Sequence, residues 1–310
     1  MLRFNRITRR VILLAAILCG LLMPASAVGK RVITVIYPNI KQPYAKVFED
    51  INQGFSSSVA ADVKTVVLQK SDDLASLKQR VSKEGPNAIV ALGSSSLRIA
   101  ESLELDVPVF GGAVVKNGHD IAGISMVPDA DVVADTLIRI QPQVKVVHVV
   151  TRKDSFDALL ADMEQVLKKR GLRLELHYAD SYKSAAFIYR DILQKVTRED
   201  AIWLTPGAPF LDNSVLSLIL EVVWEQDAVL FSSNPSHIGV GALFAVYPNN
   251  VAMGRRLGEL VNQSLDSEKQ IGLQPVKDLF VGINERTAKH IGITIDDIDF
   301  GELEVIRLAQ

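Results

Sequence analysis

Short apolar runs alternate with segments of helical spacing along most of this chain. The apolar runs are rich in β-branched residues and bounded by Gly, Pro, Asn, Asp or Ser; they lie at 32–37, 63–68, 88–92, 107–110, 144–150, 172–178, 201–205 and 228–232. Between them, apolar residues recur every three or four positions at 44–55, 74–81, 131–140, 156–170, 185–196 and 213–226. This alternation predicts βαβ units, and hence an α/β fold with parallel sheets covered by helices on both faces.

The alternating pattern starts twice. One series covers 32 to about 115, and a second begins near Val144 and reaches about Ser232. The segment between them, 116–131, is rich in Gly, Pro, Asp and Asn and contains one short strand-like run, IAGISM. Such a segment is typical of a connection. The sequence therefore predicts two Rossmann-like, doubly wound lobes with a crossover between them.

Polar residues follow most of the predicted strands, where open α/β sheets bind their ligands. The clearest case is the serine triplet 94–96, which follows the strand 88–92 and Gly93. We expect the glycine to turn the chain and the first serine to cap the next helix, whose N-terminal N–H groups suit a carboxylate. The alternative is that the serines only begin a helix and face water. The residues predicted to bind a ligand are Tyr37, Asn39, Tyr44, Gly93, Ser94, Ser95, Gly112, Ala113, Thr151, Asp180, Thr205, Asp212, Ser233 and Asn234.

The N-terminus has the organisation of a secretory signal peptide. Four arginines precede an apolar stretch from Val11 to Leu22, and Ala25-Ser26-Ala27 supplies the small residues of a cleavage site. We expect residues 1–27 to be removed after Ala27 and the protein to reside in a bacterial periplasm; the alternative is an uncleaved anchor. Cys19, the only cysteine, follows Leu18 rather than a small residue, so it is expected to leave with the signal.

Net charge and the absence of known motifs reduce the number of functions that the sequence supports. The first 27 residues carry four of the 34 basic residues and no acid, so 34 − 4 = 30 basic residues face 36 acidic ones, a net charge of −6. That balance argues against nucleic acid as a partner. The five histidines show no metal-ligand spacing, and His148 and His177 lie within strand runs, which favours packing roles. The sequence thus predicts no metal, no cofactor and no catalytic residue. An exported enzyme with Asp180 or Asp212 as a base is the weakest alternative.

Two C-terminal segments, HIGVGALFAVYPNNVAMGRRLGELVNQSL at 237–265 and FVGINERTAKHIGITI at 280–295, carry a family resemblance. Gly241-Ala242-Leu243, then Tyr247, then Gly254 in a helix, and finally Asn284 before Thr287-Ala288-Lys289 resemble the ABC transporter substrate-binding family that includes tryptophan/tyrosine uptake proteins. The chain departs from that family after the fourth strand, where an Asp-Pro pair is common and GGAVVKNGHD stands here.

The resemblance implies a type I periplasmic-binding fold, in which two lobes joined by a hinge of several crossings close on a small ligand. It places the N-terminal lobe at 28–117 plus about 238–281 and the C-terminal lobe at 118–237 plus about 282–310. The loops matching 93–96, 111–113, 205–212 and 232–234 would border the cleft. The implied function is non-catalytic capture of a small solute, such as an amino acid or a related aromatic or carboxylate compound, by a monomer that docks on an ABC permease. A ligand sensor that docks on a membrane signalling receptor is the alternative.

Overall fold

The computed structural model describes residues 30–114, 121–153, 157–206, 208, 210–267 and 271–309. The predicted signal peptide at 1–27, with Cys19, lies outside the described residues, as does His119 in the segment that departs from the family. Within the described ranges, no helix is both long and apolar enough to cross a lipid bilayer.

The first of two sheets has six strands in the order β11-β5-β4-β3-β1-β2. Its strands are β1 (Val32–Pro38), β2 (Asp62–Leu68), β3 (Ala88–Leu92), β4 (Val109–Val114), β5 (Ala122–Pro128) and β11 (Leu273–Val276). All neighbouring strands run parallel. The central strand β3 is buried along its whole length, as expected for a parallel strand covered on both faces.

The second sheet has seven strands in the order β13-β12-β10-β9-β8-β6-β7. Its strands are β6 (Val146–Thr151), β7 (Arg173–Tyr178), β8 (Asp200–Leu204), β9 (Val229–Ser232), β10 (Phe244–Pro248), β12 (Leu279–Asn284) and β13 (Glu304–Leu308). The pairing is parallel except between β10 and β12, which run antiparallel.

Helices connect the strands and cover the sheets. They are α1 (Tyr44–Ser58), α2 (Leu74–Lys83), α3 (Ser94–Ser102), α4 (Ala130–Ile140), α5 (Asp157–Lys169), α6 (Tyr182–Leu193), α7 (Asn213–Glu225), α8 (Ser236–Val240), α9 (Asn250–Ser267) and α10 (Glu285–His290), with a short 3₁₀ turn at Ile295–Asp297. The α/β class and the twin doubly wound sheets predicted from the sequence are confirmed. Each predicted strand and helix is present, with ends shifted by a few residues.

The chain passes between the two sheets three times, near residues 128–130, 248–250 and 276–279. The passages are tied together: Asp129 N–H donates to the Val276 carbonyl at 2.9 Å, and Asn249 N–H donates to the Asp278 carbonyl at 2.9 Å. The sequence-based lobe boundaries differ from this strand membership, since β5 belongs to the first sheet and β10 to the second.

Helices α1 and α9 touch backbone to backbone beside the first sheet. A Cβ atom at Gly54 would lie 2.0 Å from the Val251 carbonyl oxygen, and one at Gly254 would lie 2.1 Å from the Ile51 carbonyl oxygen. Any side chain there would force the helices apart. Gly254 is the helix glycine of the family resemblance, and its role is close packing.

Candidate functional site

The order of strands reverses once in each sheet, and each reversal creates a crevice. In the first sheet the chain goes from β1 outward to β2 on one side and to β3 on the other; in the second it goes from β6 to β7 and then to β8. Ligands of open α/β sheets bind at such switch points, beyond the carboxyl ends of the strands. The predicted residues that follow β1, β3, β6 and β8 therefore occupy the two places where a ligand is expected.

Helix α3 begins at the first switch point. Gly93 is its N-cap residue, with φ +85° and ψ 151°, and no side chain caps the helix. The expectation that the first serine caps the helix is wrong: Ser94 is already the first helical residue, because the glycine conformation makes the turn one residue earlier. The helix N-terminus thus keeps its attraction for an anion without a capping side chain.

The three serines differ in exposure. Ser94 is partly buried, Ser95 is exposed, and Ser96 is fully buried with a hydroxyl that has no hydrogen-bond partner. A buried unpaired hydroxyl costs free energy, so it indicates a group that a ligand or water satisfies. Ser96 was not among the predicted ligand-binding residues, although its place in the triplet was the available signal.

Aromatic rings lie beside the first switch point. Tyr37, near the end of β1, stacks on Phe48 of α1 with ring centroids 6.1 Å apart and planes 16° apart. Burial, and to a lesser extent the Glu49 carboxylate, raises the pKa of the Tyr37 phenol, which therefore stays neutral. A Cβ atom at Gly93 would lie 3.2 Å from the Phe48 ring, so this glycine also lets the chain pass the ring closely. Tyr44, at the start of α1, is 71% exposed.

Asn39 lines a cavity beyond the ends of β1 and β2. Its side-chain amide donates to the Gln69 carbonyl oxygen Oε1 at 2.8 Å. The cavity has a volume of about 590 Å³ and is also lined by Ile40, Lys41, Lys70 and Ser71. Two ammonium groups make it a suitable surface for an anionic group.

Gly112 and Ala113 lie within β4 rather than beyond it, because the strand continues through the glycines to Val114. A Cβ atom at Gly112 would lie 2.6 Å from the Leu92 side chain and 2.7 Å from that of Leu257, so this glycine makes room for core packing. Ala113 has φ +54° at an irregularity in the pairing of β4 with β5. A non-glycine residue in that conformation is strained.

Buried threonines mark the second switch point. Thr151 ends β6 and is 1% exposed, and Thr205 follows β8 and is 3% exposed. The Thr151 hydroxyl has a carbonyl acceptor, that of Arg152, at 3.4 Å. The Thr205 hydroxyl, like that of Ser96, is buried and has no hydrogen-bond partner within the protein.

An aromatic and cationic cluster follows β6, β7 and β8. The Arg152 guanidinium carbon lies 5.0 Å from the centroid of the Phe210 ring, within reach of a cation–π contact. Phe210 meets Tyr182 edge to face, with centroids 5.5 Å apart, and Tyr182 is 61% exposed. Arg152 and Tyr182 were not predicted as ligand-binding, and Phe210 was expected only as part of the loop 205–212 that would border the cleft. Only folding brings them together, since they lie 30 and 28 residues apart in the sequence.

The two predicted carboxylates of this sheet make hydrogen bonds at the starts of helices. Asp212 is the N-cap of α7 and accepts from Val215 N–H at 2.8 Å. Asp180 accepts from the hydroxyls of Ser184 and Ser181 at 2.8 and 3.0 Å beside the capping box of α6. These hydrogen bonds, that of Ser184 first, lower the pKa of the Asp180 carboxyl.

Ser233 and Asn234 follow β9 and serve local structure. The Ser233 hydroxyl accepts from the Trp203 indole N–H at 3.2 Å, and the Asn234 side chain accepts from Ser236 N–H at 3.0 Å at the start of α8. The predicted residues thus lie on both sheets, and those at the ends of β1, β3, β6 and β8 stand at the two switch points. At the second switch point, these residues are Thr151 and Thr205.

Comparison with known protein families gives one match of long extent. Residues 53–298 match the family model described as ABC transporter substrate binding protein. No curated protein matches the chain significantly.

Solved structures share the fold. A substrate-binding protein with adhesive properties from Clostridium difficile, in a ligand-free, open structure, is 14% identical, with a TM-score of 0.63 over 90% of this chain and 100% of that chain. An ABC domain in complex with L-Trp from Streptococcus pneumonia is 19% identical, with a TM-score of 0.55 over 89% and 100% of the two chains. A periplasmic ribose ABC transporter protein from Conexibacter woesei is 14% identical, with a TM-score of 0.53 over 85% and 94%.

Proposed function

The chain belongs to the family of ABC transporter substrate-binding proteins, and from that premise we propose that it captures a small aromatic carboxylate, such as an aromatic amino acid, between its two sheets for an ABC importer. The type I periplasmic-binding fold supplies the two switch points. In this proposal the protein acts in the periplasm and delivers its ligand to a membrane permease.

One observation carries the proposal: each switch point contains a buried hydroxyl without a hydrogen-bond partner, and these are two of the six such buried side-chain atoms in the described part of the chain. A helix without a side-chain cap begins at the first, and buried hydroxyls without partners lie there and at the second, on Ser96 and Thr205. Groups of this kind reduce stability unless something binds them, so their persistence supports a binding role. A ligand that satisfies them only when the sheets approach would favour the closed form.

The chemistry of the two switch points favours a carboxylate on a flat apolar body. The α3 N-terminus prefers an anion, and Arg152 can pair with one from the other sheet. The rings of Tyr37 and Tyr182 are available for stacking on either side. The solved relatives include one in complex with L-Trp and one named for ribose, so the fold accommodates both aromatic and sugar ligands.

A panel of small molecules tests the ligand class by isothermal titration calorimetry. L-tryptophan, L-tyrosine and indole-3-acetate carry the carboxylate, tryptamine lacks it, and ribose lacks both the carboxylate and the ring. We expect binding of at least one carboxylate and none of tryptamine. Binding of ribose alone, or of tryptamine as tightly as tryptophan, would contradict the proposed ligand class.

A pair of matched variants tests where the ligand binds. Arg152→Gln should weaken ligand binding about tenfold or more, because it removes a charge-assisted contact. Arg190→Gln is the control, since Arg190 pairs with Asp191 on the exposed face of α6. Equal affinities of the two variants would place the ligand elsewhere.

Uptake separates transport from sensing. Cells lacking this chain should lose high-affinity uptake of the ligand, and the wild-type chain should restore it. Unchanged uptake together with a lost transcriptional response to the ligand would favour the receptor-docking alternative.

A further inference from the structure

Three potential metal ligands meet on one face of the second sheet. His148 of β6 lies in register with Glu175 of β7, and His177 follows two positions along β7. Residues in register on parallel strands, and residues two apart on one strand, point to the same face. The two strands therefore place two imidazoles and one carboxylate side by side in front of α6.

The atoms that face one another are all able to ligate a metal. His148 Nδ1 lies 3.3 Å from His177 Nε2 and 3.3 Å from Glu175 Oε2. The three ligand atoms all lie within 4.8 Å of one another. A tetrahedral ion with metal–nitrogen distances of about 2.0–2.1 Å holds its ligand atoms about 3.3 Å apart, so the spacing around His148 already matches such a site.

The outer contacts orient both kinds of ligand. His148 Nε2 lies 3.1 Å from Asp200 Oδ1, and a carboxylate can only accept, so Asp200 favours the tautomer that carries its proton on Nε2; in that tautomer the Nδ1 lone pair faces the cluster. Asp200 is itself fixed by Thr197, whose N–H and hydroxyl donate to Oδ2 at 2.9 and 2.7 Å. A carboxylate behind a ligating histidine is the arrangement that fixes its tautomer in metal sites.

Arg173 orients the acidic ligand. Its Nε donates to Glu175 Oε1 at 3.0 Å, and a second guanidinium nitrogen lies 3.0 Å from the same oxygen. Because Arg173 contacts Oε1, the other carboxylate oxygen, Oε2, is the one that faces His148. The cluster is also reachable: it borders a cavity of about 420 Å³ lined by Ile188, Asp191 and Lys195. His148 is 12% exposed and Glu175 is 37% exposed, so the ligands are sheltered without being closed off.

We propose that His148, Glu175 and His177 bind one Zn²⁺ ion, with a fourth position open to the cavity. Two imidazole nitrogens and one carboxylate oxygen form a ligand set that zinc accepts. Asp200 is a positioning residue that acts through His148. The site lies between β6 and the edge strand β7, on the face in front of α6, rather than at the switch point between β6 and β8 where solute capture is proposed, so zinc and solute would bind separately.

Zinc titration of the tag-free chain tests the site. Calorimetry should show one Zn²⁺ per chain, and Co²⁺ should give the visible absorption bands of a tetrahedral complex with nitrogen and oxygen ligands. His177→Gln and Glu175→Gln should each abolish both signals. Asp200→Asn should weaken zinc binding about tenfold, as expected of an outer carboxylate.

Controls separate the site from general effects. His290→Gln removes a histidine of α10 that stacks on Trp224 of α7 and is not part of the cluster, and it should bind zinc like the wild type. Circular dichroism melts show whether each variant is folded, and Arg152→Gln should keep the zinc signal. Absence of stoichiometric zinc binding by the wild type, or zinc binding unchanged in folded His177→Gln and Glu175→Gln variants, would overturn the proposal.

Discussion

The two switch points are built from the same strand order but differ in how their helices begin. At the first, Gly93 leaves α3 without a side-chain cap. At the second, the helix that follows β8 is capped by its own residue, because Asp212 caps α7. The attraction for an anion is therefore retained at the start of α3 and largely satisfied at the start of α7.

This difference assigns separate tasks to the two halves of the proposed cleft. The first sheet offers a helix N-terminus, and the second offers the Thr205 hydroxyl and the guanidinium of Arg152 beside Phe210. Two strand-end polar residues of the same chemical type can thus have opposite roles. Ser96 has an unpaired hydroxyl, whereas the Ser181 hydroxyl accepts from Ser184 N–H at 3.2 Å.

The largest effect should follow from Gly93→Ala. Its φ of +85° and ψ of 151° suit only glycine, and the new methyl group would lie 3.2 Å from the Phe48 ring. We expect a loss of about 2 kcal/mol in the free energy of unfolding, measured in urea, together with loss of ligand binding. The control is Gly171→Ala, which has a positive φ but no atom within 4 Å of the added methyl group. Equal destabilisation of the two variants would show that Phe48 contributes nothing to the requirement for glycine.

Asp212→Ala should cost about 1 kcal/mol of stability, because it removes the N-cap of α7. Asp212→Asn should restore that stability, since its side-chain oxygen can accept the same hydrogen bond. Ligand affinity is expected to stay unchanged in both. A fall in affinity for the stable Asn variant would instead make Asp212 a ligand contact and remove part of the contrast between the sheets.

Thr205→Val should leave the ligand-free protein equally stable or more stable by up to about 1 kcal/mol, because it removes a buried hydroxyl without a partner. Thr136→Val is the matched control: that threonine is also buried, but its hydroxyl donates to the Val132 carbonyl at 2.7 Å, so about 1 kcal/mol should be lost. Thermal melts with and without ligand measure both variants. A Thr205→Val variant as unstable as the control would show that the hydroxyl is already satisfied in the free protein.

The smallest effect concerns Asp180 and pH. Hydrogen bonds from Ser184 and Ser181 lower the pKa of this carboxyl below its ordinary value of 3.8 in the folded protein. Its contribution to stability is therefore present above the unfolded pKa and is lost as the pH falls from there through the lower, folded pKa. Urea midpoints measured between pH 5 and pH 2.5 should fall less steeply for Asp180→Asn than for the wild type. Parallel curves would contradict a lowered pKa.

Much of the fold was predictable from local patterns. The strand Ala88–Leu92 matches the predicted run, and its uninterrupted apolar sequence reflects burial on both faces. Less was predictable where a pattern is ambiguous. β4 continues through Gly111 and Gly112, residues that normally suggest a turn, because the space for their side chains is taken by Ile121 and by Leu92 and Leu257.

The residues of the candidate site also divide into those that the sequence predicted and those that it did not. Strand ends identify Gly93, Thr151 and Thr205 as switch-point residues, since the carboxyl end of a parallel strand is recognisable in the sequence. The same rule selected Asp212, which caps α7, and Asp180 and Asn234, which make local hydrogen bonds near helix starts, because a polar side chain after a strand can serve either task. It missed the contact of Arg152 with Phe210, which depends on how two loops fold over one another.

By itself, the amino-acid sequence determined the alternation of strands and helices, the two sheets, and the family to which the chain belongs. These properties depend on the period of apolar residues and on short motifs, both of which are local. The tertiary structure alone decided which hydroxyls lack partners, which helices are capped, and that His148 and His177, separated by 28 intervening residues, meet at 3.3 Å. Strand register sets such meetings, and register is fixed by packing of the whole sheet rather than by the residues that meet.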